Sequence, residues 1–151
     1  RLAWEHAVDS HSQSGRRRPG LMTGHLLLGV ISEPECAGGL ILRRLNVDLA
    51  LADSILRFEL LHGRVVPGHE DQILDLWDRP HTSEAFHTME LSLGEAERFS
   101  STYPIGTEHI LLAMLSVPIG MGWRTLGYFG VGYDDALSAR DEIWALLRLT
   151  E

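Results

Sequence analysis

Apolar residues along the chain return at three-and-four spacing in blocks separated by Gly, Pro or Asp, a pattern that predicts helices rather than strands. The clearest block carries Phe86, Met89, Leu93, Ala96 and Phe99 behind Ser83, whose hydroxyl is placed to cap the helix start. Near the end, Ala136, Ala139, Ile143 and Leu147 make one face, with Trp144 beside it. Two denser blocks read TGHLLLGVISEP (23 to 34) and TEHILLAMLSVP (107 to 118). Each opens on a Thr that reads as an N-cap and stops before a Pro that cannot continue a helix. Short helices are expected around 37 to 45 and 121 to 129, and longer ones around 48 to 61 and 133 to 149. GRVVPG is too short and too closely bounded by Pro and Gly to anchor a sheet.

The two dense blocks are copies. With His25 placed on His109, an offset of 84 aligns residues 23 to 47 with 107 to 131 without a gap, and nine of the 25 pairs are identical. Average residue usage gives about two. The identities include Thr23/Thr107, Leu27/Leu111, Leu28/Leu112, Gly38/Gly122, Leu42/Leu126 and Val47/Val131. Duplication of a unit of about 70 residues follows. The expected architecture is all-α: two four-helix repeats at 1–61 and 82–151, joined by a connector at 62–81 whose ILDLW segment is apolar enough to pack onto the domain.

Composition narrows the function classes. With 151 residues, 44% of them hydrophobic, the chain can bury roughly 70% of its unfolded surface in one shared core. A formal charge of -8 argues against a nucleic-acid or anionic-membrane partner, since phosphates must be met by a basic excess. All thirteen basic residues are Arg, which excludes lysine chemistry and a phosphate-binding Gly-Lys-Ser/Thr loop. The single Cys36 rules out an intrachain disulfide and favours a cytoplasmic location. No apolar run approaches the roughly 20 residues of a membrane span, and no secretory signal is present. The chain opens at Arg1 within an expected helix, so it reads as a fragment.

The paired Thr-x-His-x-Leu-Leu motifs, each followed by Gly, Leu and Val at matching positions, resemble the duplicated N-terminal repeat of ClpA, ClpB and especially ClpC-type unfoldases. The resemblance covers nearly the whole chain and is weakest over residues 1 to 22 and the connector. It implies a compact eight-helix domain of two pseudo-symmetric halves, a non-enzymatic module needing no cofactor. Such a module binds protein substrates or adaptors for a Clp ATPase or peptidase, and cyclic peptides as well. In ClpC-type domains the Glu of each Thr-Glu-His motif helps hold the phosphoarginine that marks proteins for degradation, with a hydroxyl residue opening the repeat's first helix. Carried over, the second site keeps Glu108 with Ser83 and Thr82, whereas the first has Gly24 in place of the carboxylate. The family also places partner contacts near the exposed starts of the first helices, which makes Phe86 a candidate.

Each candidate has a structural reading beside the functional one. Glu108 gains roughly 0.3 to 1 kcal/mol from the helix dipole without any ligand, and Ser83 is a cap in its own right. His25 and His109 recur at one helix position, as a repeated structural hydrogen bond requires. His62, His69, His81 and His87 match no helical metal-binding spacing, so a small metalloenzyme has no motif behind it. Arg16, Arg17 and Arg18 read as a solvated loop or a contact for an acidic partner. Trp123, Tyr128 and Phe129 lie in a Gly-rich stretch suited to an apolar peptide groove, although Phe129 aligns with Leu45 and reads as core. A stand-alone accessory subunit that docks on the Clp machinery without reading substrate marks is the alternative function.

Overall fold

The computed structural model describes residues 2–14, 20–62, 82–99 and 104–148. Connector residues 63–81, His69 and His81 among them, and the Arg16–Arg18 run lie outside them. The described residues form eight helices: α1 Leu2–Ser14, α2 Thr23–Ile31, α3 Ala37–Arg44, α4 Leu49–His62, α5 Ser83–Phe99, α6 Thr107–Ser116, α7 Gly120–Tyr128 and α8 Tyr133–Arg148. The all-α expectation holds, with no strand among the described residues beyond a single bridged residue at Leu21. No single described helix is long and apolar enough to cross a membrane.

The two halves share one core, and the repeated residues occupy its centre. Leu27, Leu28 and Leu42 of the first half and Leu111, Leu112 and Leu126 of the second are each at most 1% exposed. Every such leucine contributes about 1.5 to 3 kcal/mol through burial, so loss of either copy is felt by both halves. The helix ends repeat as well. Both α3 and α7 close in a left-handed residue, Asn46 (φ 58) and Gly130 (φ 71), 84 positions apart. At each end the following amide reaches back over the turn, Val47 N to Leu42 O at 3.0 Å and Val131 N to Leu126 O at 3.1 Å, a Schellman closure that satisfies an otherwise free carbonyl. Val117, ahead of Pro118, is extended (φ -113, ψ 108), as a residue preceding proline is driven to be.

The face expected for α5 is rotated in the structure. Leu93 is 51% exposed, and the buried stripe runs through Ala85, Thr88, Ser92 and Ala96, with Met89 and Phe99 packed at its margin. Small side chains let α5 lie close against α6. The two hydroxyls are satisfied within the helix, Thr88 donating to Glu84 O at 2.8 Å and Ser92 to Met89 O at 2.7 Å, so neither carries the penalty of an unpaired buried polar group.

Candidate functional site

The repeated motif builds the start of α2 and of α6. In both, the His at the third helical position turns back on the residue before the helix: Met22 N donates to His25 Nδ1 at 3.0 Å and Gly106 N to His109 Nδ1 at 2.9 Å. The recurring histidines are therefore structural hydrogen-bond acceptors, as their repetition implied. The threonines depart from expectation. Met22 and Gly106 hold the N-cap positions, and Thr23 and Thr107 are the first helical residues. Their hydroxyls serve the opposite half. Thr107 Oγ1 accepts from Gly38 N at 3.0 Å, and Thr23 Oγ1 accepts from Gly122 N at 3.2 Å.

Those glycine amides lie in the first turns of α3 and α7, where helical N–H groups have no partner of their own. The exchange needs a close approach. A Cβ on Gly38 would stand 2.9 Å from the Thr107 carbonyl oxygen and 2.8 Å from Val30 Cγ1, and one on Gly122 would stand 3.0 Å from the Thr23 oxygen. The identity of Thr23/Thr107 and Gly38/Gly122 is thus one reciprocal contact written twice.

Between Thr and His the halves diverge. Glu108 is the second residue of α6 and lies against the backbone of Gly106, its side chain 10% exposed. The positive end of α6 favours its charge. Among the described residues its carboxylate meets one polar side chain, His109, with Oε1 3.8 Å from Nε2. Since His109 Nδ1 accepts the Gly106 amide, the neutral ring carries its proton on Nε2, facing that carboxylate. Phe99 stacks on His109 with centroids 6.3 Å apart, and the Arg140 guanidinium lies over Phe99, 3.6 Å from its centroid. The position 84 residues before Arg140 is Leu56, fully buried in the core.

Gly24 is more than a missing carboxylate. A Cβ there would meet Met121 Sδ at 2.5 Å and Leu60 Cδ2 at 3.5 Å, so the Met121 side chain fills the space that the helix start leaves. The residue aligned with Met121 in the first half is Ala37. By the 84-residue alignment, glycine pairs with methionine at one helix start and glutamate with alanine at the other, which reads as an exchange of volume.

The other candidates sit elsewhere. Thr82, not Ser83, caps α5, its Oγ1 accepting from Ala85 N at 3.3 Å, and its own amide donates to Leu21 O at 2.8 Å. Ser83 begins the helix half-exposed, with Oγ 3.4 Å from Glu84 Oε2, and Phe86 is half-buried one turn on. The far end of α5 carries Phe99, on His109. Seventeen helical residues separate the two ends by about 24 Å. Glu108 and the Thr82–Ser83 pair therefore do not meet; the pair lies beside the start of α2, next to Leu21 and Met22. Reading along one repeat joined residues that antiparallel packing of α5 on α6 holds apart. Met121 and Gly38 escaped the sequence reading because their roles depend on the opposite half, and Arg140 because it lies over a ring from another helix of its own half. Only the Gly38/Gly122 identity was visible in the sequence, and it signalled the glycine contact alone. Among the described residues no group of three or more His, Cys, Asp or Glu gathers as metal ligands would.

Two four-helix copies sharing one core and trading hydroxyl contacts define a duplicated all-helical repeat domain. The chain belongs to the Clp repeat N-terminal domain family, whose model matches residues 10–120. It is 33% identical over 123 residues to the ATP-binding subunit ClpA homolog of an ATP-dependent Clp protease from Trieres chinensis, covering 80% of this chain and 13% of that protein. It is 33% identical over 122 residues to the chloroplastic chaperone protein ClpC2 of Arabidopsis thaliana, covering 79% of this chain and 12% of that one. An uncharacterised protein of Mycobacterium tuberculosis is 32% identical over 126 residues, which are 83% of this chain and 44% of that protein. The chain thus spans about an eighth of the Clp subunits it matches.

Proposed function

We propose that this domain is a non-catalytic, cytoplasmic protein-binding module of the Clp unfoldase/protease system, receiving substrates or adaptors, and that Glu108 accepts the guanidinium of a phosphoarginine-bearing segment. The supporting observation is Glu108 itself: a carboxylate at a helix start, about nine-tenths buried, whose one described side-chain polar neighbour, His109, stands 3.8 Å away. A carboxylate in that state can take a forked pair of N–H bonds, and helix-start amides suit a phosphate. Thr82, Ser83 and Phe86 form a separate patch at the α5 start, a second contact for an extended partner. Titration calorimetry with free phosphoarginine tests the Glu108 part. Binding at one site per chain, abolished by Glu108→Ala, is expected; equal binding by both proteins, or by neither, rejects it.

A second reading draws on Met121, which closes the first helix start: an accessory or decoy subunit that docks on the Clp machinery without reading marks. Co-purification with the peptidase core in the absence of any ATPase supports docking, and failure to co-purify counts against it.

A further inference from the structure

The symmetry breaks a second time on the outer surface, at the two seams where the halves meet. In the α3/α8 seam, Arg44 at the end of α3 grips Glu142 on α8, with both Nε and Nη2 on Oε2 at 3.0 and 2.7 Å. The aligned positions in the α4/α7 seam are Tyr128 at the end of α7 and Phe58 on α4. These two rings are 70% and 66% exposed, the highest values among the large apolar side chains described. Arg124 reaches Glu59 across the same two helices at 3.5 Å, and Tyr128 follows Arg124 by one turn on the same side of α7. Leu51, 43% exposed, and the half-buried Ile55 extend the stripe at helical spacing along α4, and the His62 ring packs tilted against Phe58 with centroids 4.9 Å apart. An apolar ridge thus stands where the other seam has an ion pair.

We propose that this α4/α7 seam is a docking surface for a protein segment that pairs apolar side chains with arginine or lysine. Charge selects that occupant. Every arginine whose side chain is described already has a partner: Arg43, Arg44, Arg57, Arg124 and Arg140 on carboxylates and Arg98 on the Tyr133 hydroxyl. The chain carries -8 overall, and Glu59 keeps 37% of its side chain exposed at the seam. A cation over Tyr128 or Phe58 gains from the ring faces as well as from that excess. A second copy would bring another eight negative charges, so it is the poorer occupant.

The experiment is a titration of the isotope-labelled domain with a synthetic peptide of alternating leucine and arginine, followed by amide chemical shifts. Two control peptides replace arginine by glutamate or leucine by serine. Shifts centred on Leu51, Phe58 and Tyr128 are expected, with affinity at least tenfold weaker for both controls. The double variant Phe58→Glu/Tyr128→Arg recreates the ion pair of the α3/α8 seam. It is expected to keep the wild-type melting temperature and to bind at least tenfold more weakly, whereas Arg44→Ala binds as wild type does. No binding, equal binding by the double variant, or equal binding of the glutamate peptide overturns the proposal. So does self-association that the double variant abolishes, which would make a second copy the occupant.

Discussion

The helix starts at Thr23 and Thr107 share a first residue that bonds to the opposite half, a third that closes its own N-terminus, and the same leucines behind them. They differ in what stands between. Glu108 sits at the first turn of α6, and the residue aligned with Met121 is Ala37, whereas Gly24 leaves room that Met121 occupies. Framework and variable position can therefore be separated: the threonine–glycine contacts and the histidine closure recur, and the residue between them does not. A single substitution cannot convert one helix start into the other, because the neighbour from the opposite half has changed with it.

That claim yields the largest expected effect. Gly24→Glu places a Cβ within 2.5 Å of Met121 Sδ and forces a carboxylate among buried side chains, a loss of about 3 to 5 kcal/mol in urea unfolding. Adding Met121→Ala should recover much of it, since the removed side chain is the one in the way. Additive losses in the double variant would break the volume exchange as an explanation. If phosphoarginine binds at Glu108, the rescued variant is also the one expected to show a second site by calorimetry.

Next in size is the reciprocal contact. Thr107→Val and Thr23→Val each leave a buried glycine amide without its acceptor, a loss of about 1 to 3 kcal/mol, while Ser at either position keeps the oxygen and most of the stability. Gly38→Ala should be worse than Gly122→Ala. At Gly38 the Cβ meets a backbone oxygen and a branched valine, whereas at Gly122 its tightest neighbour is the flexible Met114 sulfur at 2.2 Å. Melting temperatures of the six variants order these effects, and an equal response to Thr→Val and Thr→Ser would show that the hydroxyls contribute nothing.

The sequence disclosed the helices and the core because both are periodic. Leu27, Leu28 and Leu42 announce burial by their spacing and their repetition, and the histidines announce a local bond by recurring at one helix position. What it concealed is whatever one half does for the other. Thr23 reads as a cap until Gly122 is seen beside it, and Gly24 reads as a simple loss until Met121 is. Leu93 was misplaced for a related reason. Its spacing suits an apolar stripe, but close packing on α6 selects the small Ala85, Thr88 and Ser92 instead. The Glu108–Ser83 pairing failed on length, since a 17-residue helix separates what a repeat-by-repeat reading joins.

The smallest predicted effect is confined to one half and set by pH. His6 on α1 holds the Ser32 hydroxyl after α2, with Nε2 2.9 Å from Oγ. Burial, followed by the nearby Arg57 charge, pushes the imidazole below its ordinary value of 6.5, against the upward pull of Asp53, Asp9 and Glu5. Between the folded value and 6.5 the unfolded chain holds more protons at this site than the folded one does. Stability from neutral His6 is therefore complete above about pH 6.5 and is lost as pH falls through the folded value. Ser116, aligned with Ser32, donates to Ala113 O in its own helix, so among the described residues the second half shows no such tie. Amide exchange compared at pH 7.5 and 5.5 should loosen α1 and α2 before α5 and α6, and His6→Gln should remove that difference. If the glutamine variant keeps the wild-type contrast, the acid sensitivity of the first half comes from another group.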